Sequence, residues 1–113
     1  ARVLHPGLPS HPQHALAQRQ MVKAGSIFAF EIDGGREKAH AILDALELID
    51  ISNNIGDAKS LMTHPSSTTH SSLSEDVRQA MGVGQGMLRL SVGLEDPADL
   101  IEDLDQALTK VSL

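Results

Sequence analysis

The chain has no cysteine, no tryptophan and no tyrosine. Without cysteine it can form neither a disulfide nor a thiolate metal site, which fits a reducing compartment. Its whole aromatic content is two phenylalanines, so it lacks the stacking platforms on which single-stranded nucleic acid is bound. Positive charge is scarce as well. Nine Lys and Arg stand against fifteen Asp and Glu, and a formal net charge of -6 opposes a phosphate-binding surface. No apolar run approaches the roughly 20 residues of a membrane span, and no signal-peptide pattern opens the sequence. The expectation is a protein of the cytoplasm with neither nucleic acid nor membrane as partner.

What is present is ordinary globular chain. A hydrophobic content of 41% over 113 residues predicts one domain with an aliphatic core. A chain of this size buries roughly two-thirds of its unfolded surface. Its start, Ala1-Arg2-Val3-Leu4, has no methionine and runs into a Pro- and His-rich stretch, which reads as a piece cut from something longer.

Three prolines exclude a regular element from His5 to Pro12. A helix is predicted from about residue 13 to 23, with Gly25 as its C-terminal stop. Residues 26–32 alternate as a strand, with Phe28, Phe30 and Ile32 on one face. Asp33-Gly34-Gly35 makes a turn into an amphipathic helix over 36–46, with Ala39, Ile42, Leu43 and Leu46 inward. Short strands follow at 48–51 and 60–62, separated by a polar turn. The hydroxyl-rich loop His64 to Ser72 is either a solvated connection or a place for binding groups. Ser74 caps a helix that carries Val77 and Met81 inward, and Gly82, Gly84 and Gly86 end it.

The most informative stretch lies at 87–97. Leu88, Leu90 and Val92 alternate with Met87, Arg89 and Ser91, so Arg89 projects from a rigid strand, away from the core-facing leucines. Asp96 and Pro97 then open a helix with an apolar stripe of Leu100, Ile101, Leu104, Leu108 and Val111. Arg89 is either a carboxylate anchor or the partner of one of the chain's own acids. Interleaved helices and strands predict an α/β, or α+β, two-layer sandwich with helices on one face of a small sheet. Strand pairing is left open between parallel and antiparallel.

Other chemistry is thinner. Of the six histidines, His11 and His14 stand three apart across a proline-dominated helix entry, and His64 and His70 share a loop without a third ligand, so neither pair matches a metal motif. Gly34-Gly35 has no longer glycine fingerprint around it for phosphate. Glu102-Asp103 reads as a solvated helix face. No self-contained catalytic site emerges from pattern.

Taken together, several ordered motifs resemble the C-terminal domain of the pyridoxal-phosphate enzymes of cysteine and methionine metabolism. They are His5-Pro6-Gly7-Leu8, Ser10-His11-Pro12, Phe30-Glu31 with Gly34-Gly35, and Asn54-Ile55-Gly56-Asp57-Ala58-Lys59-Ser60-Leu61. His64-Pro65, Thr69-His70 and Arg89-Leu90-Ser91-Val92-Gly93-Leu94-Glu95-Asp96 complete the set. The resemblance implies the small domain of a fold-type I enzyme, with residues 1–24 as linker and helix and residues 25–113 as the domain proper. It implies that Arg89 grips the substrate's α-carboxylate, with Asn54 and Thr69 near it. A guanidinium suits that task, because its planar fork matches a carboxylate.

Asn54 stands where lyases of the family usually have serine. The Asn-Ile-Gly-Asp-Ala-Lys turn resembles the sulfhydrylase branch, in which a homoserine ester and sulfide give homocysteine for methionine biosynthesis. Residues 51–54 lean towards the O-succinyl ester. The resemblance further implies pyridoxal phosphate as cofactor, held mainly by a preceding large domain that this chain lacks. That domain, an amino-acid substrate and further copies in a homotetramer are the implied partners. No catalytic, cofactor-binding or metal residue is expected in this chain, and alone it is expected to be inactive. A stand-alone amino-acid-binding module and a structural interaction module are the alternatives.

Overall fold

Local sequence chemistry sets the order of elements in the computed structural model, which describes residues 2–112. Strand β1 (Arg2–Leu4) is followed by helix α1 (His14–Gln20), strand β2 (Ile27–Glu31) and helix α2 (Gly35–Ala45). Strands β3 (Asp50–Ile51) and β4 (Leu61–Thr63) come next, then a 3-10 turn over Pro65–Ser67 and helix α3 (Glu75–Ala80). Strand β5 (Met87–Ser91) and helix α4 (Pro97–Ser112) complete the chain. Ala1 and Leu113, the outer ends of the two expected segments, lie outside the described residues.

The strands form one sheet in the order β1-β2-β5-β4-β3. All neighbours pair antiparallel except β3 and β4, which are parallel. The architecture is the expected α/β one, and its sheet is mixed. Period-2 alternation on β2 and β5 puts Phe28 opposite Leu90 and Phe30 opposite Leu88, and Met62 of β4 faces Leu90 from the other side. These side chains meet Ala39, Ile42 and Leu43 of α2 and Leu100 and Ala107 of α4 in one buried cluster. Each large aliphatic side chain buried there contributes roughly 1.5–3 kcal/mol. Ala39 and Ala107 are wholly buried, and their small size lets the helices lie close to the sheet.

Capping follows the sequence. Gly34 enters α2 with φ of 110°, a conformation that favours glycine. Ser74 Oγ accepts from the Val77 amide at 3.3 Å, and Asp96 Oδ1 accepts from the Ala98 amide at 2.9 Å. No described helix is long and apolar enough to cross a membrane.

Several expectations need correction. The first helix stops at Gln20 with Met21 as its C-cap, so Gly25 lies beyond the helix end. Val77 and Met81 are exposed, not inward. Polar contacts hold α3 instead. The Arg78 guanidinium donates to the carbonyls of His70 and Leu73, and Gln79, Arg78 and Gln85 hydrogen bonds bring the Glu75 carboxyl down to about 2. On α4, Ile101 and Leu108 are exposed, while Leu100, Leu104, Ala107 and Val111 face the core. Asp103, read as solvated, is only 5% exposed and accepts from the amides of Glu47, Leu48 and Ile49 at 2.8–2.9 Å. It caps the backbone that leaves α2. The strand Arg2–Leu4 carried no local signal and forms by pairing with β2.

Candidate functional site

The face of β5 turned away from the helices carries Met87, Arg89 and Ser91. Cross-strand register places Arg89 between Ala29 of β2 and Thr63 of β4. Directly opposed residues share a face, so a methyl group and a small hydroxyl flank the arginine.

Two side chains of β5 hold the polar turn that follows β3. Arg89 Nη2 donates to the carbonyl oxygen of Asn53 at 3.1 Å, and Ser91 Oγ accepts from the Gly56 amide at 3.1 Å. Asn54 lies between these two attachments, exposed, with its amide donating to Ser52 Oγ at 3.2 Å. The structure thus brings Arg89 and the Asn54 turn together. Thr69 arrives by another route. Thr63 Oγ1 and Thr68 Oγ1 are 2.8 Å apart, and Thr69 follows, its hydroxyl 2.7 Å from His70 Nδ1. Its link to Arg89 runs through Thr68 and Thr63, with no hydrogen bond between the two among those of the described residues.

Among the described residues, Arg89 forms no ion pair with an acid. The ion pairs among the described residues are Arg2–Glu31, Lys59–Asp50, Arg78–Glu75 and Lys110–Glu47. Among the described residues its one hydrogen bond is that to Asn53, and its buried Nε has no acceptor. An unpaired guanidinium donor in that position is costly unless something else accepts from it.

Other residues of the quoted motifs prove to be structural. Glu95 accepts from the Ser60 amide at 2.9 Å and from Ser60 Oγ at 2.8 Å, while Ser60 Oγ accepts from the Gly93 amide at 2.8 Å. The Ser60 amide is the main reason why the Glu95 carboxyl sits below its ordinary range. Lys59 pairs with Asp50 at 2.7 Å, and that hydrogen bond raises its pKa.

Whether these residues could hold an aldehyde cofactor turns on the lysines. A lysine that captures an aldehyde must reach its neutral form, which burial promotes. Lys23, Lys38, Lys59 and Lys110 are all exposed, and Lys59 is pushed the other way. None of these four lysines has the setting that capture of the cofactor's aldehyde requires. The site missed from sequence comprises Asn53, Thr63 and Ser91. Of these, only Ser91 was signalled, by standing two residues from Arg89 on the same strand face.

The site is thus a small mixed α/β sheet that presents, beside a polar turn, an arginine with no ion pair among the described residues. The chain belongs to the Cys/Met metabolism PLP-dependent enzyme family, whose model matches residues 1–109. It is 51% identical over 111 residues to the O-succinylhomoserine sulfhydrylase of Mycobacterium tuberculosis, covering 95% of this chain and 27% of that protein. It is 46% identical over 104 residues to the L-methionine gamma-lyase of Pseudomonas putida, covering 92% of this chain and 26% of the relative. A crystal structure of a cystathione gamma lyase from Micromonospora echinospora superposes with a TM-score of 0.90 at 43% identity, covering 96% of this chain and 28% of that one. The chain therefore spans about a quarter of the length of the relatives it matches.

Proposed function

We propose that this chain supplies the substrate-carboxylate side of the active site in a homoserine-ester sulfhydrylase of methionine biosynthesis. Arg89 is the anchor for the α-carboxylate, and Asn54, in the turn that Arg89 holds, and Thr69, linked to it through Thr68 and Thr63, are the further binding residues. The observation that carries this reading is the free guanidinium. It is fixed on a central strand, steered by Asn53, and left without a carboxylate of its own among the described residues. A charge-assisted pair with a ligand carboxylate completes it.

On this reading pyridoxal phosphate, the cofactor implied by the family, is held by residues outside this chain, in a preceding large domain of the same cytoplasmic enzyme, which assembles as a homo-oligomer. The net reaction is a γ-replacement. The Cγ–O ester bond breaks, succinate leaves with the electron pair, and sulfide forms the Cγ–S bond of homocysteine. The O-succinyl ester is favoured by the residues of the Asn54 turn and by the likeness to the mycobacterial sulfhydrylase. Product analysis on the complete enzyme tests the reading. O-succinylhomoserine with sulfide should yield homocysteine and succinate in equal amounts. Release of a thiol and a keto acid from methionine, without homocysteine formation from the ester, would make it a lyase instead.

A further inference from the structure

His64 follows β4 directly and is only 1% exposed. Both of its ring nitrogens are engaged, Nε2 with the carbonyl oxygen of Gln85 at 2.6 Å and Nδ1 with Ser67 Oγ at 2.7 Å. Ser67 Oγ also meets His40 Nε2 at 3.2 Å. The proton positions follow from what each atom can do. A carbonyl only accepts, so His64 Nε2 carries the hydrogen and the neutral ring has its lone pair at Nδ1. Ser67 gives its one hydrogen to that lone pair and accepts from His40 Nε2. The result is a directed line from His40 through Ser67 and His64 to Gln85. It joins α2, the 65–67 turn, the end of β4 and the loop that enters β5.

Protonation of His64 at Nδ1 reverses Ser67. The serine hydrogen must leave the ring, and the His64 carbonyl oxygen lies 3.3 Å from Ser67 Oγ. That oxygen already accepts from Thr68 Oγ1 at 2.8 Å, and Thr68 is bonded to Thr63, the cross-strand partner of Arg89. The rearrangement therefore ends one residue from Thr69. Arg36 and His40 of α2 and Arg78 of α3 act on His64. Asp44 shares with His40 and His64 a cavity of about 250 Å³. Burial, aided by His40, Arg36 and Arg78, holds the imidazole below its ordinary range against the pull of the Gln85 carbonyl.

We propose that His64 and Ser67 are positioning residues for the carboxylate site, fixing the turn that presents Thr69 while His64 is neutral and releasing it when His64 is protonated. This rests on the carboxylate reading of Arg89 and Thr69. The test measures KM and kcat for O-succinylhomoserine from pH 8 down to the lowest pH at which the complete enzyme stays folded, for wild type, His64→Gln, Ser67→Ala, Ser67→Thr and Arg89→Ala. Wild-type KM should rise on acidification, by up to about tenfold per pH unit below the folded-state pKa of His64, with a smaller change in kcat. Glutamine can donate to Gln85 and accept from Ser67 without taking a proton, so KM of His64→Gln should lose this acid limb. Ser67→Ala should have a raised KM without the limb, and Ser67→Thr, which keeps the hydroxyl, should restore it. Melting temperatures identify any variant that fails to fold, and if His64→Gln is one, the Ser67 pair carries the same comparison. Superimposable KM profiles for wild type and the folded variants would overturn the relay. A high KM in Arg89→Ala alongside such profiles would leave the carboxylate reading standing, whereas an unchanged KM in Arg89→Ala would remove that reading.

Discussion

Asp103 and Ile49 are 54 residues apart in sequence, yet the Asp103 carboxylate accepts from the Ile49 amide at 2.8 Å. With the Leu48 and Glu47 amides bonded to the same carboxylate, one side chain of α4 satisfies three consecutive donors past the end of α2. Asp103→Ala leaves three amides without this acceptor and should cost about 3 kcal/mol or more, read as a fall in unfolding free energy by denaturant titration. A loss below about 1 kcal/mol would mean that solvent replaces the cap.

The same carboxylate sets an acid limb. Burial pushes its pKa up, but the amides of Ile49, Glu47 and Leu48, together with Gln106, outweigh that, and the net effect lies below the ordinary carboxylate value. A group whose pKa is depressed by folding stabilises the folded state above its unfolded pKa, here about 3.9, and that contribution fades as pH falls through the lower folded value. Wild type should therefore lose stability below about pH 4 more steeply than Asp103→Asn, which has no carboxylate to titrate. Parallel curves for the two proteins in that range would contradict the assignment.

The last helix separates a cap from a core. Asp96→Ala removes the hydrogen bond to the Ala98 amide and a favourable charge at the helix start, at a cost of about 1 kcal/mol. Leu100→Ala empties part of the buried cluster and should cost about 2–5 kcal/mol. Denaturant midpoints that rank the two in the opposite order would place the helix on the wrong face.

These residues also show what a sequence carries. The strand with Arg89 and the helix behind it are legible because alternation, the Asp-Pro start and the helical spacing of leucines all agree. The α4 stripe is only half legible, because apolar spacing alone cannot tell that the chain turns Asp103 inward and Ile101 outward. A carboxylate normally stays in water, and only the three amides contributed by a distant segment reverse that preference. Helix α3 misleads for the related reason that hydrogen bonds of Arg78 and Glu75 anchor it rather than Val77 and Met81. Strand β1 depends on a partner 29 residues away at Glu31, which no local pattern reports. At the site, Arg89 is legible from its strand, whereas its attachment to Asn53, the burial of His64 and the bond between His64 and Ser67 depend on tertiary contacts alone.

Cofactor chemistry gives a further prediction. Incubating the chain with pyridoxal phosphate and reducing with borohydride should label Lys23, Lys38, Lys59 and Lys110 weakly and without preference, since all four are exposed. Stoichiometric labelling of one lysine, located by peptide mass spectrometry, would contradict the conclusion that these residues do not suit the cofactor.

The central claim is that Arg89 holds a substrate carboxylate, and kcat/KM of Arg89 variants of the complete enzyme tests it most directly. Hydrogen bonds to a charged group are worth about 1.5–3 kcal/mol, so Arg89→Ala should lower kcat/KM by roughly tenfold to more than a hundredfold. Arg89→Lys keeps the charge without the fork and should fall between the two. Cofactor absorbance should be unchanged in both, and the unfolding midpoint should move little, because no acid among the described residues pairs with Arg89. Normal kcat/KM per folded molecule with a lowered midpoint would make Arg89 a structural residue and contradict the account.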